Sequence, residues 1–245
     1  MAFLPVHAAG VYTKEAESSP TYSRLSDFAV SSYIPSLAAY IAASKPRITP
    51  NSKILTVTLP IESGLSHSIS ELENIRNIVG PAMLLQLREE HAHVEAVKEK
   101  IEECSFVHFA CHGEQNASDP TESALLLSGG SKLTLNEVIK LKLPHAQLAF
   151  LSACQTATGA EKLPQEAVHL GAGMLLAGYQ GVIATMWAIE DKDAPIIAKE
   201  FYSYLWRDGK PDAKEAAFAL HSAVNILRDK SPSFKSWVPF IHMGI

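Results

Sequence analysis

Two mostly apolar stretches, FVHFACHG at residues 106–113 and LAFLSACQ at residues 148–155, decide the fold of this chain. Each stretch begins with large apolar side chains and ends in small and polar residues. A short apolar run of this kind predicts a strand buried on both faces, which is typical of a parallel sheet. Functional groups gather beyond the carboxyl ends of such strands, so His112 and Cys154, which follow the two runs, are candidate site residues.

Strands and helices alternate on both sides of these two runs. Further strands are predicted at 53–59, 82–87 and 182–186, with a hairpin at 124–135. Helices are predicted at 34–44, 68–79, 91–103, 194–206 and 212–228. Two more helices are predicted, one opened by a capping box at 134–137 and one inside the uncharged segment 167–189. Ser68 and Glu71 match a second capping box, which is expected to open the helix at 68–79. Because parallel strands need crossover helices, the alternation predicts an α/β fold with a parallel sheet covered on both faces.

Length and charge limit the classes of protein to consider. The 245 residues suit a single compact domain, in which residues 1–50 form an irregular, proline-interrupted segment packed on a regular part at residues 51–245. The chain carries 21 Lys and Arg residues against 26 Asp and Glu residues, a net charge of −5. A nucleic-acid binder is expected to show a basic surface, so we predict no nucleic-acid partner.

Three further features bear on where the protein works. The segment 167–189 is long enough to span a bilayer, but its glycines and Gln180 favour a helix, a turn and a buried strand, so no membrane partner is predicted. Three cysteines are too few for a disulfide framework and indicate a reducing compartment. Residues 1–10 lack the basic and long apolar regions of a signal peptide. Together these features predict a cytoplasmic protein.

The two candidate residues have complementary chemistry. If the strands that precede them are neighbours, His112 and Cys154 leave the same edge of the sheet about 4.8 Å apart. An imidazole beside a thiol favours the thiolate, which is a nucleophile, and the backbone N–H groups of Gly113 and Cys154 are candidate donors for an oxyanion. Taken alone, Cys154 fits a buried small hydrophobic side chain better than a nucleophile, so the residues themselves leave both interpretations open.

A metal site or a dinucleotide site fits the sequence poorly. His108 and His112 have helical ligand spacing but lie on a predicted strand, where residues four apart are separated by about 13 Å. Cys104 and Cys111 are expected to be buried, since Cys104 ends a helix and Cys111 lies on the opposite strand face from His112. No glycine-rich phosphate-binding motif follows the first strand. We therefore predict no metal and no cofactor.

Several ordered motifs together resemble one known family, the CHAT domain, a caspase-like branch of the separase-related cysteine peptidases. The motifs are FVHFACHG at 106–113, SALLL at 123–127, KLTL at 132–135, LAFLSACQTA at 148–157 and VIATMW at 182–187, and the similarity extends from FLPVHAAG at 3–10 to PFIHMG at 239–244. The resemblance implies a caspase-hemoglobinase-like three-layer sandwich, with a mainly parallel central sheet and helices on both faces. It also implies that His112 is a general base and Cys154 a nucleophile.

The resemblance implies a cysteine endopeptidase that cleaves protein or peptide substrates through an acyl-enzyme. The alternative is a catalytically silent interaction module of the same fold. Many relatives carry a TPR or other helical region before the FLPVHAAG motif, so we expect a regulatory region or partner of that kind and a chain that is an isolated or truncated catalytic domain.

Substrate preference is expected to depend on residues beyond the last two predicted parallel strands. WAIEDKD at 187–193 is similar to an acidic stretch that in separase lies beside the pocket for a basic P1 side chain, which makes Asp191 or Asp193 a candidate partner of Arg or Lys at P1. The alternative is that these acids favour the start of the following helix through its dipole. Gln155 is expected to hydrogen-bond the substrate backbone.

Overall fold

The computed structural model describes residues 4–12, 23–44, 52–59, 67–114, 116, 118–141, 143, 145–152 and 167–245. The helices are α1 (Leu37–Ala43), α2 (Ser68–Val79), α3 (Val94–Ile101), α4 (Leu135–Lys140), α5 (Ala167–Ala177), α6 (Ala194–Leu205), α7 (Ala216–Lys230) and the short α8 (Phe234–Trp237). The strands are β1 (Ile54–Thr58), β2 (Leu84–Arg88), β3 (Phe106–Ala110), β4 (His112–Glu114), β5 (Ala124–Leu126), β6 (Lys132–Thr134), β7 (Leu148–Leu151), β8 (Gly181–Thr185) and β9 (Phe240–Gly244).

A six-stranded sheet forms the middle layer, with the strand order β2-β1-β3-β7-β8-β9. The first five strands of that order run parallel, and β9 is antiparallel to β8. Every residue of β1, β3, β7 and β8 is buried, as expected for apolar strands covered on both faces. The predicted parallel α/β fold is therefore confirmed.

Helices cover both faces of this sheet. On one face the core contains Val97 of α3, Val138 of α4 and Met174 of α5. On the other face it contains Ile75 of α2 and Phe201 of α6, together with apolar residues of α7. These two apolar layers with the sheet between them form the three-layer sandwich that the resemblance implied.

A second, smaller sheet begins where β3 ends. It is antiparallel, has the strand order β4-β5-β6, and is separated from β3 only by Cys111. The predicted hairpin supplies β5 and β6, and the predicted capping box at Thr134 and Glu137 opens α4, with both reciprocal hydrogen bonds present. The extra strand β4 was not predicted, and it changes the setting of His112 from a loop to a strand.

One other sequence prediction needs correction. The capping box at Ser68 and Glu71 is wrong, because the N-cap of α2 is His67 and its side chain makes no capping bond. Glu71 instead turns into the interior. The apolar end of the chain is strand β9, whose edge is extended by a bridge between Tyr33 and Met243.

The uncharged segment 167–189 folds as predicted into helix α5, a turn and the buried strand β8. None of the helices in the described part of the chain is long and apolar enough to cross a bilayer.

Candidate active site

Three neighbouring strands end at the same edge of the central sheet. β7 lies between β3 and β8, and all three run parallel, so the segments that follow them leave the sheet side by side. His112 follows β3, residues 186–193 follow β8, and Cys154 lies three positions beyond Leu151, the last residue of β7. The strand order therefore places the ends of the three strands that precede the predicted site segments at one edge.

The register of β3 and β7 pairs the strand residues that precede the two dyad candidates. Phe109 of β3 is paired with Leu151 of β7, and His112 and Cys154 each follow their paired residue by three positions. The adjacency of the two strands, on which the sequence argument depended, is thus confirmed. Cys154 and Gln155 lie outside the described residues, so the contact between thiol and imidazole stays a prediction.

His112 is a partly buried residue of β4 and is paired with Leu126 of β5. The next residue, Gly113, is buried and is paired with Leu125. The small sheet therefore fixes the backbone of both residues just beyond the end of β3. A backbone held in this way limits the directions that the His112 side chain can take.

Asp191 lies beyond β8 and contacts the beginning of α2. One oxygen of its carboxylate, Oδ2, is 2.8 Å from Nδ1 of His67 and accepts a hydrogen bond of 3.0 Å from the backbone N–H of His67. The Asp191 side chain retains 22% of its accessible surface. A carboxylate at this position is favoured by the positive end of the α2 dipole and can still be reached from solvent.

Asp193, two residues further on, has a different environment. It is 1% exposed and stands at the N-cap position of α6, but its side chain makes no capping hydrogen bond. Burial raises the pKa of its carboxyl group, and a hydrogen bond from Ser236 partly opposes that rise. The hydroxyl of Ser231 in turn donates to Ser236 over 2.9 Å. Asp193 thus lies in the protein interior, whereas Asp191 lies at the carboxyl edge of the central sheet, where solvent can reach it.

A buried polar cluster lies below the edge, between the sheet and helices α2 and α6. His108 of β3 is fully buried, with Nδ1 at 3.1 Å from the hydroxyl of Tyr202 and Nε2 at 3.1 Å from Oε1 of Glu71. Its ring stacks on Phe150 of β7 with a centroid distance of 4.7 Å. Sequence reasoning missed this cluster, although the alternation of β3 pairs His108 with Phe106 on one face and so indicates an inward imidazole.

The two other cysteines are poor nucleophile candidates. Cys104 and Cys111 are each 1% exposed, as predicted. Burial raises the pKa of the Cys104 thiol to about 12, so almost no thiolate forms there near neutral pH. Neither residue is in a disulfide.

The three-layer architecture and the strand-end site define a caspase-like α/β domain. Solved structures with this fold include gingipain R, described as an Arg-specific cysteine proteinase, with a TM-score of 0.56 and 12% identity over 85% of this chain and 51% of that one. A complex of the pro- and mature domains of RgpB from Porphyromonas gingivalis has a TM-score of 0.57 and 12% sequence identity, over 85% of this chain and 52% of that one. The separase–securin complex of Saccharomyces cerevisiae has a TM-score of 0.61 and 16% sequence identity, over 87% of this chain and 14% of that one. At these identities the likeness shows the fold alone.

The family follows from the sequence match. Residues 1–245 match the CHAT domain, so the chain belongs to the CHAT domain family, as its motifs implied. No curated protein gives a significant sequence match. The chain spans about half the length of the gingipain chains and 14% of the separase complex chain.

Proposed function

We propose that this CHAT domain is a cysteine endopeptidase that uses Cys154 as nucleophile and His112 as general base. The observation that carries the proposal is the parallel pairing of β3 with β7, in which Phe109 lies opposite Leu151. Both candidate residues follow that pair by the same number of positions, and the paired strands are about 4.8 Å apart where the two segments begin, which favours a close approach of their side chains. The caspase-like fold and the inaccessible thiols of Cys104 and Cys111 also support this choice of nucleophile.

The proposed reaction forms an acyl-enzyme and then hydrolyses it. His112 takes the proton of the Cys154 thiol, the sulfur attacks the scissile carbonyl carbon, and the backbone N–H groups of Gly113 and Cys154 bind the oxyanion. The C–N bond then breaks, and the imidazolium gives its proton to the leaving amine. Water attacks the carbonyl carbon of the thioester while His112 accepts the water proton, the C–S bond breaks, and the imidazolium returns the proton to the sulfur as the acid product leaves. Gln155 is proposed to hold the substrate backbone.

A basic P1 side chain is the proposed substrate feature, with Asp191 as its partner. Of the two acids predicted for this role, Asp191 keeps an accessible carboxylate, whereas Asp193 is buried beside Ser236. An exposed carboxylate edge suits the bidentate geometry of a guanidinium. The similarity to a proteinase described as Arg-specific supports the same preference.

A silent interaction module is the second candidate function, and helix α1 is the observation that favours it. Ala39 and Ala43 of α1 face the interior, while Leu37, Tyr40 and Ile41 are exposed. An apolar helix face in solvent indicates a contact with another region or protein. A TPR or other helical region is the proposed partner, either as a regulator of the peptidase or as the ligand of a module without turnover.

Labelling with peptide acyloxymethyl ketones of varied P1 tests the proposal. We expect covalent modification of Cys154, lost in Cys154→Ala, and faster labelling by Arg than by Leu reagents. Mass spectrometry of the labelled chain identifies the modified thiol. Modification of Cys111 instead would overturn the assignment, and peptide binding without any modification would favour the silent module.

A further inference from the structure

The buried cluster around His108 lies in register with the proposed dyad. His108 of β3 is directly paired with Phe150 of β7, and the two rings stack at 4.7 Å with an interplanar angle of 30°. His112 follows His108 by four residues, and Cys154 follows Phe150 by four residues. The same two strands that carry the proposed base and nucleophile are therefore joined, four positions earlier, by a buried aromatic contact.

Two helices hold His108 in this position. Burial and the nearby Glu71 carboxylate raise the pKa of Tyr202 well above its ordinary value, so its hydroxyl keeps its proton, and its oxygen lies at hydrogen-bond distance, 3.1 Å, from Nδ1 of His108. Nε2 faces Oε1 of Glu71 at 3.1 Å, and because a carboxylate oxygen only accepts, a hydrogen on Nε2 suits this contact. Neither Nε2 nor Oε1 makes a hydrogen bond of regular geometry with a described residue, so the contact between them is an electrostatic one. The contact between α2 and β3 is thus the only compensation that these two buried atoms receive in that part of the chain.

Helix α2 also contacts the substrate side of the proposed site. His67, one turn before Glu71, holds Asp191, and Nδ2 of Asn74, one turn after it, donates to the carbonyl of Pro195 at the start of α6. One polar face of α2 therefore contacts the strand before His112 and the acid proposed to bind P1. His67, Glu71 and Asn74 are spaced by successive helical turns, which explains how one face of α2 can contact both β3 and Asp191.

We propose that Glu71, His108 and Tyr202 are positioning residues that hold His112 in register with Cys154, an inference that rests on the proposed dyad. A slide or rotation of β3 against β7 would separate the stacked rings and leave a buried carboxylate without its partner, which is costly in a low-dielectric interior. The cluster therefore opposes the movements of β3 that would misdirect His112. None of the three side chains is exposed enough to touch a substrate.

The pH dependence of Cys154 alkylation separates a positioning role from a general structural role. The thiolate is the reactive form, and a correctly placed His112 lowers the pH at which it forms. The full chain carrying Glu71→Gln is treated with iodoacetamide across pH 5–9, and mass spectrometry gives the alkylation rate at Cys154 alone. Glu73→Gln, an exposed position on the same helix, is the matched control. Far-ultraviolet circular dichroism confirms that each variant is folded at the temperature of the assay.

We expect Glu71→Gln to move the midpoint of the profile upward and to slow alkylation at pH 7 by about tenfold, while Glu73→Gln leaves both unchanged. His112→Ala should produce a larger shift, and adding Glu71→Gln to it should change nothing more, because both act through one imidazole. If Glu71→Gln is unfolded, the same experiment is done with Tyr202→Phe, which removes one hydroxyl from the cluster. Tyr204→Phe is then the matched control.

Two results would contradict this inference in distinguishable ways. A shift in His112→Ala without any shift in folded Glu71→Gln or Tyr202→Phe would remove the positioning role and leave the dyad intact. An unshifted profile in His112→Ala would remove the proposed dyad itself, and the positioning role with it.

Discussion

The interior of the sheet and its carboxyl edge use the same residue types differently. His108 and His112 lie four residues apart, yet His108 is fully buried between two helices and His112 is a partly exposed residue of the small sheet. Asp193 and Asp191 repeat this contrast beyond β8, where Asp193 is buried beside Ser236 and Asp191 remains accessible at the N-terminus of α2.

The contrast shows that residue type and spacing do not assign a role on their own. A histidine or a carboxylate in the interior is held by a few fixed partners, and its loss uncovers unpaired polar atoms. The same group at the edge can meet a substrate. We therefore expect the interior member of each pair to affect stability and the edge member to affect activity.

The largest expected effect is on catalysis. Replacing His112 or Cys154 by Ala should lower peptide cleavage and active-site labelling by about 10³-fold or more, because each removes one half of the proposed dyad. The free energy of unfolding of His112→Ala should stay within about 1 kcal/mol of the parent, since the side chain is partly exposed. Cleavage kinetics and urea unfolding on the same samples measure both quantities. A large loss of stability in His112→Ala would contradict the contrast between edge and interior.

The second effect is on stability at the interior histidine. His108→Ala leaves the buried Glu71 carboxylate without its partner, so we expect the free energy of unfolding to fall by about 3–5 kcal/mol. Urea unfolding monitored by tryptophan fluorescence measures the change. A loss no greater than that of His112→Ala would show that the Glu71 contact has little energetic weight.

The third effect is on P1 preference. Asp191→Asn should reduce the preference for Arg over Leu at P1 by about 10- to 100-fold, the usual weight of one hydrogen bond to a charged group. Asp193→Asn is the matched control and should leave that preference unchanged, because its carboxyl group is 1% exposed. The ratio of kcat/KM for paired Arg and Leu peptides is the measurement. Equal effects of the two substitutions would remove the distinction between these acids.

The smallest effect is a pH dependence of stability at Asp193. Because burial raises its pKa above the ordinary value of 3.8, the folded state binds this proton more tightly than the unfolded chain. The resulting stabilisation is complete below pH 3.8 and is lost as the pH rises through the raised pKa. The free energy of unfolding of the parent minus that of Asp193→Asn, measured by urea unfolding, should therefore decrease as the pH rises from 3.8 through the raised pKa. A difference that stays flat or grows with pH would contradict the raised pKa.

Most of the fold could be predicted from sequence because apolar runs and helical spacing report burial directly. Two strands were missed for specific reasons. β4 has only three residues, including His112 and Glu114, and is too short and polar to show an alternation. β9 contains His242, which is 1% exposed and has a pKa lowered to about 4 by burial, so a polar residue type concealed a core position.

The strand ends at this edge could also be predicted, since they follow from the strands themselves. The partners below the edge could not, because they depend on the phase of a helix. Moving the start of α2 by one residue rotates every side chain by about 100°, and that difference decides whether Glu71 caps the helix or reaches His108. His67 and Tyr202 are likewise placed by contacts between distant segments, which local patterns do not record.

Disulfide trapping tests most directly whether the ends of β3 and β7 bring positions 112 and 154 together. His112→Cys is prepared in the full chain, mildly oxidised and mapped by mass spectrometry, with Glu114→Cys as the control on the same strand. At a strand spacing of about 4.8 Å the two Cα atoms fall inside the range of about 4.4–6.8 Å that a disulfide requires. We predict a bridge between position 112 and Cys154 that Glu114→Cys does not form. A Cys154 that stays reduced in His112→Cys, or that bridges only to Cys111, would contradict the account.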